Sequence, residues 1–182
     1  MRIVLFFFIT DCSFKNLYLK IGGGTYEFMD TGKTNELRLS SPGEVEELTK
    51  ISIEAFHSDF LVGLDPNDGP PDYDSLEWHK QMQAEGHLYS FANENGTIIG
   101  GAVLFASTET VYIGRIFVSP EYQRRGYGIK MMAEIESMFS SAKLFKLDTP
   151  ANNIRTNSFY RKLGYVQSGV VDDCAVYIKR LR

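Results

Sequence analysis

The chain of 182 residues lacks the patterns that metal centres, disulfide frameworks and nucleic-acid surfaces require. Its two cysteines, Cys12 and Cys174, cannot build a framework, which leaves either one disulfide or, as we expect, two free thiols in a reducing compartment. No CxxC or HExxH motif occurs and the three histidines are not at ligand spacing, so we expect no metal. Lys and Arg form no run and the formal net charge is −4, which argues against nucleic acid as the main partner.

No apolar run approaches the roughly 20 residues that span a bilayer, so we expect no membrane partner and a cytoplasmic location. The run Ile3 to Ile9 follows a basic start, as in a secretion signal, but Asp11 stands where a small residue would precede cleavage. A short buried strand is one alternative, and an upstream extension with Met29 as the biological start is another. Residues 1–35 are therefore treated as an N-terminal extension of unknown role.

From residue 36 onward the pattern is that of one globular α+β domain around a mixed sheet. Ser41-Pro42-Gly43-Glu44 predicts a capping box before an amphipathic helix, and Asp74 with Glu77 opens a second helix. Asn95-Gly96 predicts a hairpin, and Val111 to Val118 lacks alternation, which predicts a strand buried on both faces. The predicted strands are 37–39, 87–92, 97–105, 111–118, 144–149, 165–168 and 175–178, with helices from 42, from 74, over 126–140 and over 156–163.

The segment from Ile113 to Gly128 carries the clearest chemical signal. A strand ends at a proline, and a short loop with two glycines opens a helix. Successive backbone N–H groups over residues 124–129, at the positive end of a helix and beside Arg124 and Arg125, would bind an anion. The alternative is that Gly126 and Gly128 only permit a tight turn.

Two motifs in this half of the chain resemble a known superfamily. Val118-Ser119-Pro120 followed by Gln123-Arg124-Arg125-Gly126-Tyr127-Gly128 resembles the pyrophosphate-binding signature of the GNAT superfamily of acyl-CoA N-acyltransferases, Gln/Arg-x-x-Gly-x-Gly/Ala. Downstream, Asn153 and then Phe159-Tyr160-Arg161-Lys162-Leu163-Gly164-Tyr165 resemble its Asn…Phe-Tyr-x-Lys-x-Gly-Phe/Tyr segment. The resemblance covers residues 36–182 and implies a mixed central sheet flanked by helices, in three α/β/α layers.

The resemblance also implies a site for acetyl-CoA. Backbone groups of Phe117 and Val118, where two central strands splay apart, would receive the pantetheine arm and the thioester. Asn153 would contact the pantetheine, and Tyr160 would protonate the departing thiolate, the alternative being a core aromatic. The pyrophosphate would lie against Gln123, Arg124, Arg125, Gly126, Tyr127, Gly128 and Ile129.

An alkylamine acceptor needs a base, because with a pKa near roughly 10.4 it is neutral only about once in 2,500 molecules at pH 7. In the ribosomal-protein alanine acetyltransferases of this superfamily, a carboxylate stands 12 residues before the Tyr and five before the Asn. Asp148 stands in those relations to Tyr160 and Asn153 and is our candidate base, the alternative being an Asp that caps a turn. Glu109 and Tyr112 are the reserve candidates for this base.

The acceptor itself is expected to be a small-molecule or peptide amine. Residues 58–77 hold six acids and no Lys or Arg, so a cationic amine would be attracted there unless the segment is simply a solvated loop. Tyr73 and Trp78 would supply an aromatic wall, while His57 and His79 are expected to be solvated or at the edge of the core.

We therefore expect an acetyl-CoA-dependent N-acetyltransferase acting by direct attack in a ternary complex, without a metal. The alternative is a catalytically silent acyl-CoA sensor, and homodimerisation stays open.

Overall fold

The computed structural model describes residues 18–21, 24–27, 37–62 and 69–181. The chain divides into two compact units, Met1–Lys33 and Thr34–Arg182. In the first unit, β1 (Tyr18–Ile21) and β2 (Gly24–Glu27) pair as antiparallel strands. The segment Ile3–Ile9, for which a strand or a signal is predicted, lies outside the described residues, as do Cys12 and Met29.

In the second unit, the order of strands and helices is the one predicted from the sequence. The sheet order is β3-β4-β5-β6-β7-β9-β8, and every neighbouring pair is antiparallel except β6 and β7, which are parallel. This confirms the mixed sheet. The elements are β3 (Leu37–Leu39), α1 (Val45–His57), α2 (Leu76–Ala84), β4 (Leu88–Ala92), β5 (Ile98–Ala106), β6 (Thr110–Val118), α3 (Tyr127–Met138), β7 (Leu144–Pro150), α4 (Ile154–Lys162), β8 (Val166–Val171) and β9 (Cys174–Arg180).

Helices cover both faces of this sheet, so the predicted three-layer α/β/α architecture is confirmed. On one face α1 and α2 bury Leu48 and Met82 against Val103 and Phe117. On the other face α3 and α4 bury a larger cluster, which includes Met131, Met132, Ile135, Tyr160, Phe145 and Tyr177. Within the described ranges, no helix combines the length and the apolar character needed to cross a membrane.

The helix starts follow capping chemistry, with two corrections to the predicted boundaries. The Ser41 N–H donates to Glu44 Oε2 at 2.8 Å, as the capping box predicts, although Pro42–Glu44 form a 3₁₀ turn before α1. The N-cap of α2 is Ser75 rather than Asp74, because the Ser75 hydroxyl accepts the Trp78 N–H at 3.2 Å. Helix α4 starts two residues earlier than predicted, at Ile154, because Asn153 caps it.

Strand β6 is not buried on both faces, so that prediction was wrong. Val111, Ile113 and Phe117 are buried, whereas Tyr112 and Arg115 are only half-buried. The pairing with β5 shifts so that Ile113 faces Leu104 while Arg115 faces Val103, which leaves Gly114 as a bulge. The bulge turns Arg115 to the face that carries Val103 and Phe117, the face of α1 and α2.

Candidate active site

The site is built around a gap in the sheet between its two parallel strands. β6 and β7 pair only from Thr110–Tyr112 to Leu144–Lys146, and beyond that point no pairing joins them. Because Ser119 N–H donates to Ile99 O at 2.8 Å, the alternation of an antiparallel pair directs Phe117 N–H toward β5 and Val118 N–H toward the gap. The predicted splay is therefore present, and Val118 is the residue whose N–H faces it.

Two adjacent glycines in β5 fix β6 beside the gap. A Cβ on Gly100 would lie 2.4 Å from the carbonyl oxygen of Phe117, and a Cβ on Gly101 would lie 2.7 Å from the Phe117 ring. Only glycine admits so close a backbone approach. This close approach positions the last residues of β6 next to the loop that follows.

The loop after β6 forms an anion cradle, defined here as residues 124–128. Arg124 (φ +61°) and Gly126 (φ +89°) are left-handed and alternate with Arg125, and such alternation turns successive N–H groups to one side. Among the described residues, no acceptor is recorded for the N–H groups of Arg124, Arg125, Gly126 or Gly128. Helix α3 starts directly after Gly126 and adds its positive end.

Two residues predicted to bind the cofactor make hydrogen bonds within the protein. The N–H of Ile129 donates to Gly126 O at 3.0 Å, so we end the anion cradle at Gly128, and cofactor binding by Ile129 stays a prediction. The side chain of Gln123 donates to Val118 O at 2.9 Å and to Ser58 Oγ at 3.2 Å. The Gln123 side chain therefore stabilises the conformation of the loop by hydrogen bonds to the end of β6 and to the turn after α1.

Asn153 is also held by the protein itself. Only 1% of this residue is exposed, its Oδ1 accepts the Thr156 N–H at 3.2 Å, and its Nδ2 donates to Asp59 Oδ2 at 3.0 Å. Asp59 also pairs with Arg155. These bonds connect the turn after α1 to the start of α4. The observed role of the Asn153 side chain is to cap α4.

Tyr160 lies in the core next to the gap. It is 7% exposed and its ring packs against Tyr165, with centroids 6.0 Å apart. Burial raises the pKa of its phenol, and the nearby charge of Asp148 raises it further, so the hydroxyl keeps its proton at neutral pH. Among the described residues the hydroxyl has no hydrogen-bond partner.

Asp148 has a partner that sequence spacing did not reveal. Tyr112 Oη, from the facing strand, donates a hydrogen bond to Asp148 Oδ1. Burial raises the pKa of Tyr112, and the hydrogen bond and charge of Asp148 raise it further, so the phenol remains a donor. Tyr112, a reserve base, is therefore a support for Asp148, whose side chain is exposed at the gap.

An open cavity of about 420 Å³ begins at the end of β7. It is lined by Pro150, Ala151, Asn152, Asp172, Asp173 and Cys174. The Cys174 thiol is free, and desolvation together with the charges of Asp148, Asp172 and Asp173 raises its pKa. Carboxylates thus dominate the electrostatics of this side of the gap.

Other candidates lie apart from the gap. Glu109 forms an ion pair with Lys143 in the turn before β6, at the opposite end of that strand. His57 bonds to Tyr73 Oη at 2.9 Å, while His79 is fully buried, so the prediction of an exposed or edge position was wrong for His79. Within the described ranges, no three His, Cys, Asp or Glu side chains are grouped to hold a metal ion.

Comparison of the chain with protein-family models identifies its family. The model described as the Acetyltransferase (GNAT) family matches residues 46–165. The chain belongs to the GNAT family. Its sheet, with the gap between two parallel strands and the glycine loop, is therefore that of a GNAT acetyltransferase.

Curated relatives carry no established substrate in their names. The chain is 28% identical over 133 residues to the uncharacterized protein YrkN of Bacillus subtilis, covering 71% of each chain. It is 29% identical over 127 residues to the uncharacterized N-acetyltransferase YitH of the same organism, covering 70% of this chain but only 43% of YitH. Among solved structures, the PaiA N-acetyltransferase of Thermoplasma acidophilum in complex with coenzyme A superposes with a TM-score of 0.69 at 18% identity, covering 80% of this chain and 98% of that one. The last match shows the shared fold.

In this GNAT chain, sequence reasoning missed Arg115 and Asp59. Arg115 interrupts the apolar run of β6, and a single cation in such a run is the signal that could have identified it. Asp59 gave no signal, because its partners Asn153 and Arg155 lie 94 and 96 residues away.

Proposed function

We propose that this GNAT protein is an acetyl-CoA-dependent N-acetyltransferase that works by direct attack of an amine in a ternary complex. The observation that carries the proposal is the meeting of three features at one gap. These are the anion cradle of residues 124–128, the Val118 N–H, and the hydrogen-bonded pair Tyr112–Asp148 with Tyr160 behind it.

The residues around the gap fit an acyl-CoA. In the anion cradle, the N–H groups of Arg124, Arg125, Gly126 and Gly128 have no acceptor among the described residues, and together with the two arginine side chains they suit a diphosphate. A Cβ at Gly126 would meet nothing within 4 Å, so the space beside the loop is open. When bound there, acetyl-CoA supplies the activated acetyl thioester, and coenzyme A is the ligand in the PaiA structure.

Different residues of the chain carry out the two proton transfers. Asp148 takes a proton from the acceptor ammonium, directly or through water, which frees the nitrogen lone pair. As the nitrogen–carbon bond forms and the carbon–sulfur bond breaks, Val118 N–H donates to the carbonyl oxygen, where negative charge grows. Tyr160 gives its proton to the departing sulfur and regains one from the nitrogen. The nitrogen thus loses two protons, and the one taken by Asp148 passes to solvent.

The acceptor is a primary amine whose amino group arrives protonated, as an ammonium. Asp148, Asp172 and Asp173 make the side of the gap near the cavity negative, and this field attracts an ammonium group. In the predicted acidic segment 58–77, residues 63–68 lie outside the described residues, and Asp59 is already paired with Arg155, so it adds little to this attraction. The free thiol of Cys174 fits work in a reducing compartment such as the cytoplasm.

An amine panel with acetyl-CoA tests this proposal directly. Thiol release that depends on an amine, with an N-acetyl product found by mass spectrometry, is the expected result. Saturable coenzyme A binding without release by any amine would overturn the enzymatic reading and favour an acyl-CoA sensor.

The Gly126→Val variant tests the anion cradle. The substitution adds a branched side chain beside the diphosphate position and strains a residue at φ +89°. Loss of one or two charge-assisted hydrogen bonds should raise KM for acetyl-CoA about 10- to 100-fold, measured by steady-state thiol release.

Gly96→Val is the matched control for that variant. Gly96 has φ +79° and open space around it, but it lies in the turn between β4 and β5. It should cost similar backbone strain while leaving KM for acetyl-CoA unchanged. Equal KM values in the two variants would mean that the loop does not hold the diphosphate.

A further inference from the structure

Arg115 occupies the α1/α2 face of β6, three residues after Tyr112. Its guanidinium lies over the ring of Trp78, with Cζ 3.7 Å from the ring centroid, and Nη2 donates to the carbonyl oxygen of Pro71. Stacking on an indole and a bond to a main-chain oxygen fix the plane of the guanidinium. The cation is therefore held rigidly on the same face as Tyr112.

This cation has no ionic partner in the part of the chain that the structure describes. Nη1 is shut off from solvent and donates to no described residue. Desolvation lowers the pKa of Arg115 to about 10, although the charges of Asp72 and Tyr112 act in the opposite direction, and the group stays charged at neutral pH. A half-buried cation with unused donors is costly unless a ligand completes it.

Neighbouring groups do not fill the vacant positions. His79 faces the same region, and burial lowers the pKa of its imidazole, so it is neutral. Its Nδ1 is within 2.8 Å of Ser75 O, which fixes the proton there and leaves a buried Nε2 that accepts from no described residue. Asp72 is exposed and makes no ion pair with Arg115. Among the described residues, no carboxylate therefore pairs with the Arg115 guanidinium.

We propose that Arg115 binds a carboxylate of the acceptor, so that the amine acetylated here belongs to an amino acid or a similar amino-carboxylic acid. The planar guanidinium matches a carboxylate with two parallel N–H donors. This inference rests on the proposed acetyl transfer to an amine and names the class of that amine.

The spacing along β6 supports a small zwitterionic acceptor. Tyr112 and Arg115 face Phe105 and Val103 on β5, which are two residues apart, or about 7 Å along a strand. An acceptor whose nitrogen lies near Asp148 would then extend its carboxylate over that distance to Arg115. Amino acids with a few bonds between the two groups span it.

Trp78 gives a binding test that needs no turnover. It is the single tryptophan of the chain and stacks on Arg115, so occupation of the guanidinium should change its fluorescence. We would titrate the whole wild-type protein with the common amino acids, β-alanine and γ-aminobutyrate, each paired with its neutral carboxamide. At least one acid should give a saturable change with an apparent Kd at least 10-fold below that of its amide. Equal values within every pair, or no change with any acid, would overturn the inference.

Kinetics with acceptors that are turned over separate this inference from the proposed function. Arg115→Gln should raise KM for the carboxylate acceptor about 10- to 100-fold, leave KM for its carboxamide and for acetyl-CoA unchanged, and be partly rescued in Arg115→Lys. Arg161→Gln, at an exposed arginine over the ring of Tyr177, is the control and should change none of these values. Equal losses with acid and amide would mean a structural role. If no amine were acetylated, the proposed function would fail, while the titration would still decide the inference.

Discussion

Replacing Asp148 by Asn should lower kcat by about 10²–10⁴-fold, the range that a positioned acid–base group contributes. The amide has nearly the same shape and still accepts the hydrogen bond from Tyr112 Oη, but it cannot take a proton from the acceptor ammonium. KM for acetyl-CoA should not change, because Asp148 does not belong to the anion cradle. Steady-state kinetics with saturating amine measures both values.

Glu109→Gln is the matched control for this change. Glu109 is also an exposed carboxylate near β6, but its ion pair with Lys143 lies at the other end of the strand. Its kcat should stay within about twofold of wild type, since exposed ion pairs contribute little. Equal activity of Asp148→Asn and wild type would remove Asp148 as the base.

Tyr112→Phe tests whether the hydroxyl acts through Asp148. Without its donor the carboxylate loses orientation, so kcat should fall about 10-fold while binding of acetyl-CoA is kept. Added to Asp148→Asn, the same change should have little further effect, because the two groups act as one unit. Fully additive losses in the double variant would mean that Tyr112 acts independently.

The local parts of this molecule were predictable because local chemistry determines them. Apolar periodicity gave the helix faces, Asn95-Gly96 gave the hairpin, and a proline followed by two glycines marked the loop after β6. Gly126 illustrates why such signals are reliable: its left-handed conformation is one that glycine adopts without strain. The residue type and the backbone requirement coincide.

The parts that were missed depend on contacts between residues distant in sequence. Tyr112 meets Asp148 across a parallel strand pair, 36 residues away, and no spacing rule predicts that register. The lack of alternation in β6 indicated burial on both faces, because the sequence does not show the bulge at Gly114 that turns Arg115 to the α1/α2 face. Asn153 matched a family motif, yet its side chain caps α4 and bonds to Asp59, a role visible only once the turn after α1 has been placed.

Replacing Tyr160 by Phe should lower kcat about 10²-fold with little change in KM for acetyl-CoA. The hydroxyl bonds to none of the described residues, so its removal costs the fold no recorded hydrogen bond, and unfolding measurements should show nearly wild-type stability. Burial raises the pKa of Tyr160, and a general acid works only below its pKa. The wild-type rate should therefore show no loss from Tyr160 ionisation below about pH 10, and the variant should lower the plateau of the pH–rate profile without moving its limbs.

Tyr165→Phe separates catalysis from packing in the same aromatic cluster. Its ring lies 6.0 Å from that of Tyr160, but its hydroxyl bonds to Glu136 Oε1 at 3.1 Å. Losing that bond should destabilise the fold by about 1 kcal/mol while kcat stays at the wild-type value, the reverse of the pattern expected for Tyr160→Phe. Similar kcat values for Tyr160→Phe and wild type would assign Tyr160 to the core and leave the thiolate to take its proton from solvent.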